Sequence, residues 1–485
     1  MRLGRILSLA IVLAAGGAGG SPAFGQGPDA APLPPVAPGP PLHVDQNGTG
    51  RPWEVIQRPG TASLNPAVAP QPPGPMQVDL ETALQLTLQC NPGLVAMREN
   101  LCVSAEAIEV AKRFPASLNP TVSFQESPWV FQREPGGGVA RLHDMVVLMW
   151  QQPIELGHRR QFRTQMAEAA YCQTRWSVLQ AELTALVQTY RLHQTALYRG
   201  QRLGVAQRLV EFNERLVQSL RRQLEANQVP AADVIMAEVE SQTTAQLREA
   251  VRLEYAAAVA ELRGQMGLPQ YAASAQPAGP LEVPRDDFSG RAEALVEIAL
   301  AARPEVRTAT AAVANSRAAL GLARADRIPV PSIGPAYEQN ETGASFYGIA
   351  ITSPIPVLNL GQTLVRQREA EYHRDCIALE QSRRQVEAQV RSVLTKWSQA
   401  LESAAQTRAR SEPIRVQAER MERLYEAGRA DLVKLLQVRG RRIEAENAQW
   451  DAIWQTTQAY AEVLMTLGAT PLLASLPEHA DSESR

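Results

Sequence analysis

Aromatic residues make up only 5% of the 485-residue chain, cysteine occurs four times and histidine six. The first shortage disfavours a large single-chain porin, whose many strands carry aromatic girdles. Cys90, Cys102, Cys172 and Cys376 follow no C-x-x-C spacing. No H-x-x-x-H pair or Asp/Asn-rich loop accompanies them, so neither a metal site nor a cofactor is expected, and buried free thiols are. Lys and Arg number 48 against 50 Asp and Glu, a net charge of −2. That balance lacks the basic excess of a nucleic-acid binder. Beyond the N-terminus no apolar run reaches the roughly 18 residues of a membrane-spanning helix. No G-x-S-x-G, phosphate-loop or dinucleotide fingerprint occurs, and no nucleophile can be paired with a base, so an enzyme is not expected.

The chain does have a secretory pattern at its start. Arg2 and Arg5 precede the apolar run Ile6–Ala15, and Ala23 and Gly25 place small residues before Gln26. Ten apolar residues reach about 15 Å as a helix, half a bilayer core, so residues 1–25 read as a cleaved signal peptide. Fourteen of the 35 prolines fall in residues 28–75. A Pro-rich, extended or disordered lead is therefore expected over 26–77, with folding beginning near Val78.

From there the chain resembles itself at a spacing near 200 residues. Asn91-Pro92-Gly93-Leu94 answers to Arg303-Pro304-Glu305-Val306, and Pro120-Thr121-Val122 to Pro331-Ser332-Ile333. Pro153 to Tyr171 aligns without gaps on Pro354 to Tyr372, sharing Gln161/Gln362, Glu168/Glu369 and Ala169/Ala370. Two copies of a helix–strand–strand–long helix–helix unit are expected, over 78–269 and 291–471, joined by a linker at 270–290 and followed by a tail at 472–485. In the first copy a helix over 79–113 leads to a β-hairpin over 121–152 and a helical hairpin over 158–266. In the second these fall at 291–326, 332–353 and 362–467, with Pro413 as the one break in the long helix. Tyr171 and Tyr372 are expected to pack between helices.

Each long helix makes a rod of roughly 100 Å. Leu183, Leu186, Tyr190, His193 and Leu197 step by three and four, as in a coiled coil, and Val205, Leu209, Phe212 and Leu216 resume in a shifted register. Tyr347, Ile349 and Ile351 alternate with Gly348, Ala350 and Thr352, giving a strand one apolar and one small or polar face. Four strands cannot close a membrane barrel, and an open sheet in lipid leaves backbone groups unsatisfied at several kcal/mol each. Strands placed in a membrane would therefore require oligomers: two copies give eight strands and a filled barrel, three give twelve and a lumen.

Asn91-Pro92-Gly93-Leu94, Gln152-Pro153-Ile154-Glu155-Leu156-Gly157-His158-Arg159-Arg160 and Ser353-Pro354-Ile355-Pro356-Val357-Leu358-Asn359 together resemble the TolC-type outer membrane efflux protein family. The resemblance spans about 78–471, and the Gln152–Arg160 block is most similar to the heavy-metal cation efflux branch. It implies a mainly α protein with a small β part: a homotrimer whose 12-stranded barrel sits in outer-membrane lipid and continues as a periplasmic α-helical coiled-coil barrel. It also implies a passive exit duct that works with a periplasmic adaptor (membrane fusion) protein and an inner-membrane efflux pump, with no nucleic acid. Lipidation of a Cys after the signal, known in some members, has no Cys here to act on.

The resemblance makes the turns between long and return helices the adaptor-contacting tips: Val229, Pro230 and Ala231 in one, Gly428, Arg429 and Ala430 in the other. Gly428 suits the left-handed end of a helix and Pro230 a first turn. Asp233 and Asp431 follow, where a carboxylate favours the helix dipole. In a trimer each would recur as an acidic ring at the pore tip. Trp129, Phe131 and Trp150 suit an interfacial aromatic belt, with core packing as the competing reading. His158-Arg159-Arg160 reads as a solvated helix start, or as a basic cluster meeting anionic groups. A periplasmic adaptor and a soluble coiled-coil scaffold are the rival functions; within the duct class, drug efflux and type I protein secretion stand beside metal efflux.

Overall fold

The computed structural model describes residues 77–127, 131–133, 136, 139–141, 144–268, 276–286, 288, 290–340, 342–427 and 429–468. The signal-peptide and Pro-rich lead expectations, up to Met76, and the C-terminal tail lie outside these residues. Chain order is β1 (Gln77–Val78), α1 (Leu80–Cys90), α2 (Pro92–Lys112), β2 (Thr121–Ser127), β3 (Phe131–Arg133), β4 (Val139–Arg141), β5 (Met145–Pro153), α3 (Arg159–Glu225) and α4 (Ala231–Gln265). It continues with β6 (Gln276–Pro277), α5 (Ala292–Ala302), α6 (Pro304–Ala325), β7 (Ser332–Gln339), β8 (Ser345–Thr352), α7 (Gln362–Glu426) and α8 (Leu432–Leu467). Among the described residues no helix is long and apolar enough to cross a membrane.

Three prolines correct the sequence reading, two in one sense and one in the other. The single helices expected over 79–113 and 291–326 are each two helices, broken before Pro92 and Pro304. The α region is disfavoured for a residue preceding proline. Asn91 (φ −64°, ψ 117°) and Arg303 (φ −63°, ψ 126°) are accordingly extended, and each proline opens the next helix. Asn91 secures its break by accepting from the Gly93 and Leu94 amides at 3.0 and 3.2 Å. Arg303 makes no cap; it reaches out of its turn to Gln389 at 2.7 Å and Glu305 at 3.0 Å. Pro413, expected as a break, lies inside α7, which continues through it. Losing one ladder bond costs about 3 kcal/mol, and a 65-residue helix packed along α8 absorbs it.

The helices form one layer under the sheet, in the order α2, α3, α6, α7, each packed on the next. The strands above follow the order β2, β5, β7, β8, all antiparallel. Each helix of the layer leads into or out of the strand in the same place, so the register carries over. The pairing of Val146 with Gln339 continues down the α3–α6 seam as Gly157 against Ile328, Arg159 against Asp326 and Gln180 against Glu305. Farther from the sheet, α4 and α7 flank α3 and α8.

The predicted coiled-coil positions Leu183, Leu186, Tyr190, His193 and Leu197 are all buried. The largest core lies where α3, α5, α7 and α8 meet. Trp397 there faces Tyr460 and Phe288, with ring centroids 5.6 and 6.1 Å away, and Tyr190 joins Tyr460 at 5.9 Å. A second core surrounds Val78, pinned by the parallel β1–β6 pair, and takes in Ala196, Leu262 and Met266. Tyr171 and Tyr372 are half-buried on α3 and α7. The four cysteines are free, but the expectation of burial is corrected: Cys90 and Cys102 are exposed, Cys172 and Cys376 half-buried. Cys102 lies on the exposed side of α2.

Candidate functional site

Period-two alternation decides the two faces of the four-stranded sheet. Val122 and Phe124 stand opposite Trp150 and Leu148, Leu148 opposite Tyr337, Tyr337 opposite Tyr347, and Ile333 opposite Ile351. All of these belong to one face. It is apolar and open: Phe124 is 63% exposed, Tyr347 83%, Ile349 75% and Ile351 70%. The other face carries the small or polar Ser123, Gln125, Gln151, Gly334, Ala336, Gly348, Ala350 and Thr352 together with Val147, Met149, Glu338 and Phe346, and Gln151 Nε2 donates to Thr352 Oγ1 at 2.7 Å. Gly334 is obligatory, because a Cβ there would lie 1.8 Å from the Trp150 carbonyl oxygen. Among the described residues β2 pairs only with β5, and β8 only with β7. Both outer strands thus present a free row of backbone donors and acceptors. Trp150 lies on the apolar face; Phe131 belongs to β3 opposite Arg141, and Trp129 lies outside the described residues.

Where β5 becomes α3 the chain turns through Gly157 (φ 76°) and His158 (φ 62°); Gly361 (φ 70°) precedes α7 in the same way. The solvated reading of the basic cluster is corrected at Arg159. Its guanidinium donates to the Ala325 carbonyl at 3.3 Å, pairs with Asp326 at 3.2 Å and is only 14% exposed. A cation there meets the unpaired carbonyls at the end of α6. Arg163 forks onto Glu155, while His158 and Arg160 remain exposed.

At the opposite end α3 closes in a Schellman turn, with Asn227 left-handed (φ 52°) and the Gln228 amide donating to the Gln223 carbonyl at 2.8 Å. The Arg429 amide makes the equivalent bond to Leu424 at 2.9 Å; Gly428 itself lies outside the described residues. Val229 is half-buried against Leu216, Leu220, Val234 and Leu432, whereas Pro230, Ala231 and Arg429 are exposed and Ala430 is half-buried. Asp233 lies in the first turn of α4; Asp431 is the exposed N-cap of α8 and makes no side-chain cap.

The two acids share one neighbour that sequence reasoning missed. Burial raises the pKa of the Tyr425 hydroxyl, and both Asp233 and Asp431 push it further in the same direction. Also missed was Arg439, which stacks 3.3 Å over the Phe212 ring and pairs with Glu422 at 2.5 Å, tying α3, α7 and α8 together. No local pattern announces either group, since the partners come from separate helices.

A four-stranded sheet with a bare apolar face and two open edges stands on two long helices, α3 of 67 residues and α7 of 65, each packed against a return helix of 35 or 36. Residues 295–469 match the family described as outer membrane efflux protein. No curated protein matches the sequence. Among solved structures it is similar to the outer-membrane channel OprN (17% identity, TM-score 0.63), over 80% of this chain and 90% of that one. It is similar to CusC, studied for folding and transmembrane channel formation (15%, TM-score 0.62), over 82% and 95%. It is also similar to the open-state MtrE outer membrane channel of Neisseria gonorrhoeae (17%, TM-score 0.61), over 81% and 89%. At these identities the likeness shows the fold.

Proposed function

We propose that the chain is one third of a trimeric exit duct, the outer-membrane part of a tripartite efflux system with a periplasmic adaptor and an inner-membrane pump. The observation that carries this reading is the open sheet. Its edges are satisfied in lipid only if β8 of one copy pairs with β2 of the next. Two copies would close eight strands, a barrel that side chains must fill. The inward face of this proposal mixes Gly334, Ala336, Gly348, Ala350 and Ser123 with Val147, Met149 and Phe346, and the trimer is preferred to the dimer on the family resemblance. Three copies close twelve strands and leave a water-filled lumen. An internal duplication over 78–269 and 291–471 accounts for the element order that both halves share. It brings two helical hairpins per copy to the periplasmic tip.

At that tip Val229, Pro230, Ala231, Gly428, Arg429 and Ala430 are the adaptor contacts of this proposal. Asp233 and Asp431 supply rings of carboxylate that favour cations. Metal cations are the proposed cargo, on the resemblance of the Gln152–Arg160 block. The test is conductance across a planar bilayer. Detergent-extracted protein should give discrete conductance steps, and Asp431→Asn should move the reversal potential in a salt gradient toward anions. Protein that inserts without any conductance would contradict the duct.

A further inference from the structure

We infer that the level at which the sheet passes into the helices is a collar that binds anionic phospholipid of the periplasmic leaflet. Exposed apolar side chains at the strand ends would take the acyl chains, and Arg113, Arg160 and Arg327 the phosphates. The inference rests on the proposal that the apolar sheet face meets lipid, and names what the membrane finds where that face ends.

The four strand ends are level. Register pairs Thr121 with Gln151, Pro153 with Ser332 and Ser332 with Thr352, so one row crosses the sheet. Three bonds from arginine to carbonyl then hold the helix ends level below it. Arg163 Nε donates to Ala111 at 3.4 Å, Arg159 Nε to Ala325 at 3.3 Å and Arg327 Nε to Leu360 at 3.2 Å. The boundary is therefore an even belt across the chain, not a staggered edge.

The apolar alternation of the sheet runs past the strand ends. Ile154 is in step with Leu148 and Trp150, and Ile355 with Ile349 and Ile351. Ile355 is 79% exposed, and after it Val357, Leu358 and Leu360 also stand open, Leu358 at 99%. Covering such side chains with acyl chains removes apolar surface from water. One step deeper come the cations. Arg113 lies two residues after Ala111, Arg160 next to Arg159, and Arg327 makes the third bond itself, so they share one level. All three are exposed, and among the described residues none has an ion-pair partner.

The acid nearest to each along the chain is already engaged: Glu109 by Lys112, Glu155 by Arg163 and Asp326 by Arg159. A chain of net charge −2 thus keeps an uncompensated cation on three of its four crossings between sheet and helix. Apolar groups followed by cations is the order of a leaflet, acyl chains then headgroups. The charge selects the lipid. A guanidinium binds phosphate through charge-assisted, often bidentate hydrogen bonds, and a headgroup of net negative charge attracts it more than a zwitterionic one.

Lipid retention tests the cationic half. Full-length protein extracted in mild detergent is mixed with phosphatidylglycerol, or with phosphatidylcholine of the same acyl chains, and the bound lipids are counted by native mass spectrometry. Phosphatidylglycerol should be preferred. Arg113→Gln and Arg160→Gln should each lower its retention about fivefold, the worth of one cation at an anionic surface. Equal retention of the two lipids, or unchanged retention in the double variant, overturns the collar.

Depth tests the apolar half. With the four native cysteines changed to Ser, a fluorophore is attached at Leu358→Cys or, on the sheet face, at Ile349→Cys. The protein is reconstituted in vesicles of phosphatidylglycerol and phosphatidylcholine that carry a quencher on the acyl chain. Both positions should be quenched. Quenching at position 349 alone overturns the collar and leaves the lipid-facing sheet standing; aqueous iodide then tells water from a neighbouring copy as the cover of position 358. Quenching at neither overturns both.

Discussion

The helical core and the sheet of this chain are built to opposite specifications. In the core, Trp397, Tyr460, Val386 and Val390 are at most 4% exposed, and the rings that touch belong to one chain. In the sheet, residues just as apolar stand almost bare, Tyr347 at 83% and Ile349 at 75%. The helices bury a core within one chain, whereas the sheet leaves an apolar face and two outer strand edges uncovered. In the proposed duct that sheet is completed by membrane and neighbouring copies.

The largest effect expected from breaking this contrast is in the core. Trp397→Ala removes the ring between Phe288 and Tyr460 and should cost about 3–5 kcal/mol, seen as a lower midpoint in the helical circular-dichroism melt. An unchanged midpoint would mean that the aromatic cluster is not where the helices are held. On the sheet the same kind of insult should act differently. Ile349→Arg puts a charge on the apolar face at about 2–4 kcal/mol near the bilayer midplane. It should abolish recovery from the outer membrane yet leave helix content intact, and normal insertion of this variant would show that the face does not meet lipid.

A smaller effect concerns His193. It is 1% exposed, Nε2 lies 3.2 Å from the Val78 carbonyl oxygen, and Nδ1 is buried without a partner. Burial lowers its pKa, opposed by the Val78 hydrogen bond and the nearby Asp79 carboxylate. The unfolded chain therefore binds this proton first, at about pH 6.5. Stability is full above that value, falls as pH drops from there toward the depressed folded pKa, and levels off below it. His193→Gln should flatten this part of the stability–pH curve; an unchanged slope would assign the proton elsewhere.

What could be read from the sequence followed from period and proximity. Three-and-four spacing marked Leu183 through Leu197, and these are core. Alternation along Tyr347–Thr352 marked the two sheet faces, and its apolar members are the bare ones. Errors arose where a local rule met tertiary support. Pro413 breaks a ladder bond but not a helix held along α8, whereas Pro92 and Pro304 each end the helix before them. The role of Arg159 depends on carbonyls of α6, and that of Tyr425 on acids from two hairpins.

The claim on which the rest depends is that one chain supplies one third of a closed barrel. It is tested most directly by the mass of the protein extracted from the outer-membrane fraction in mild detergent, by light scattering with the detergent contribution removed. The account predicts a mass of three protomers. A soluble monomer or dimer whose mass is the same with and without detergent would mean that the strands never enter lipid, and would contradict it.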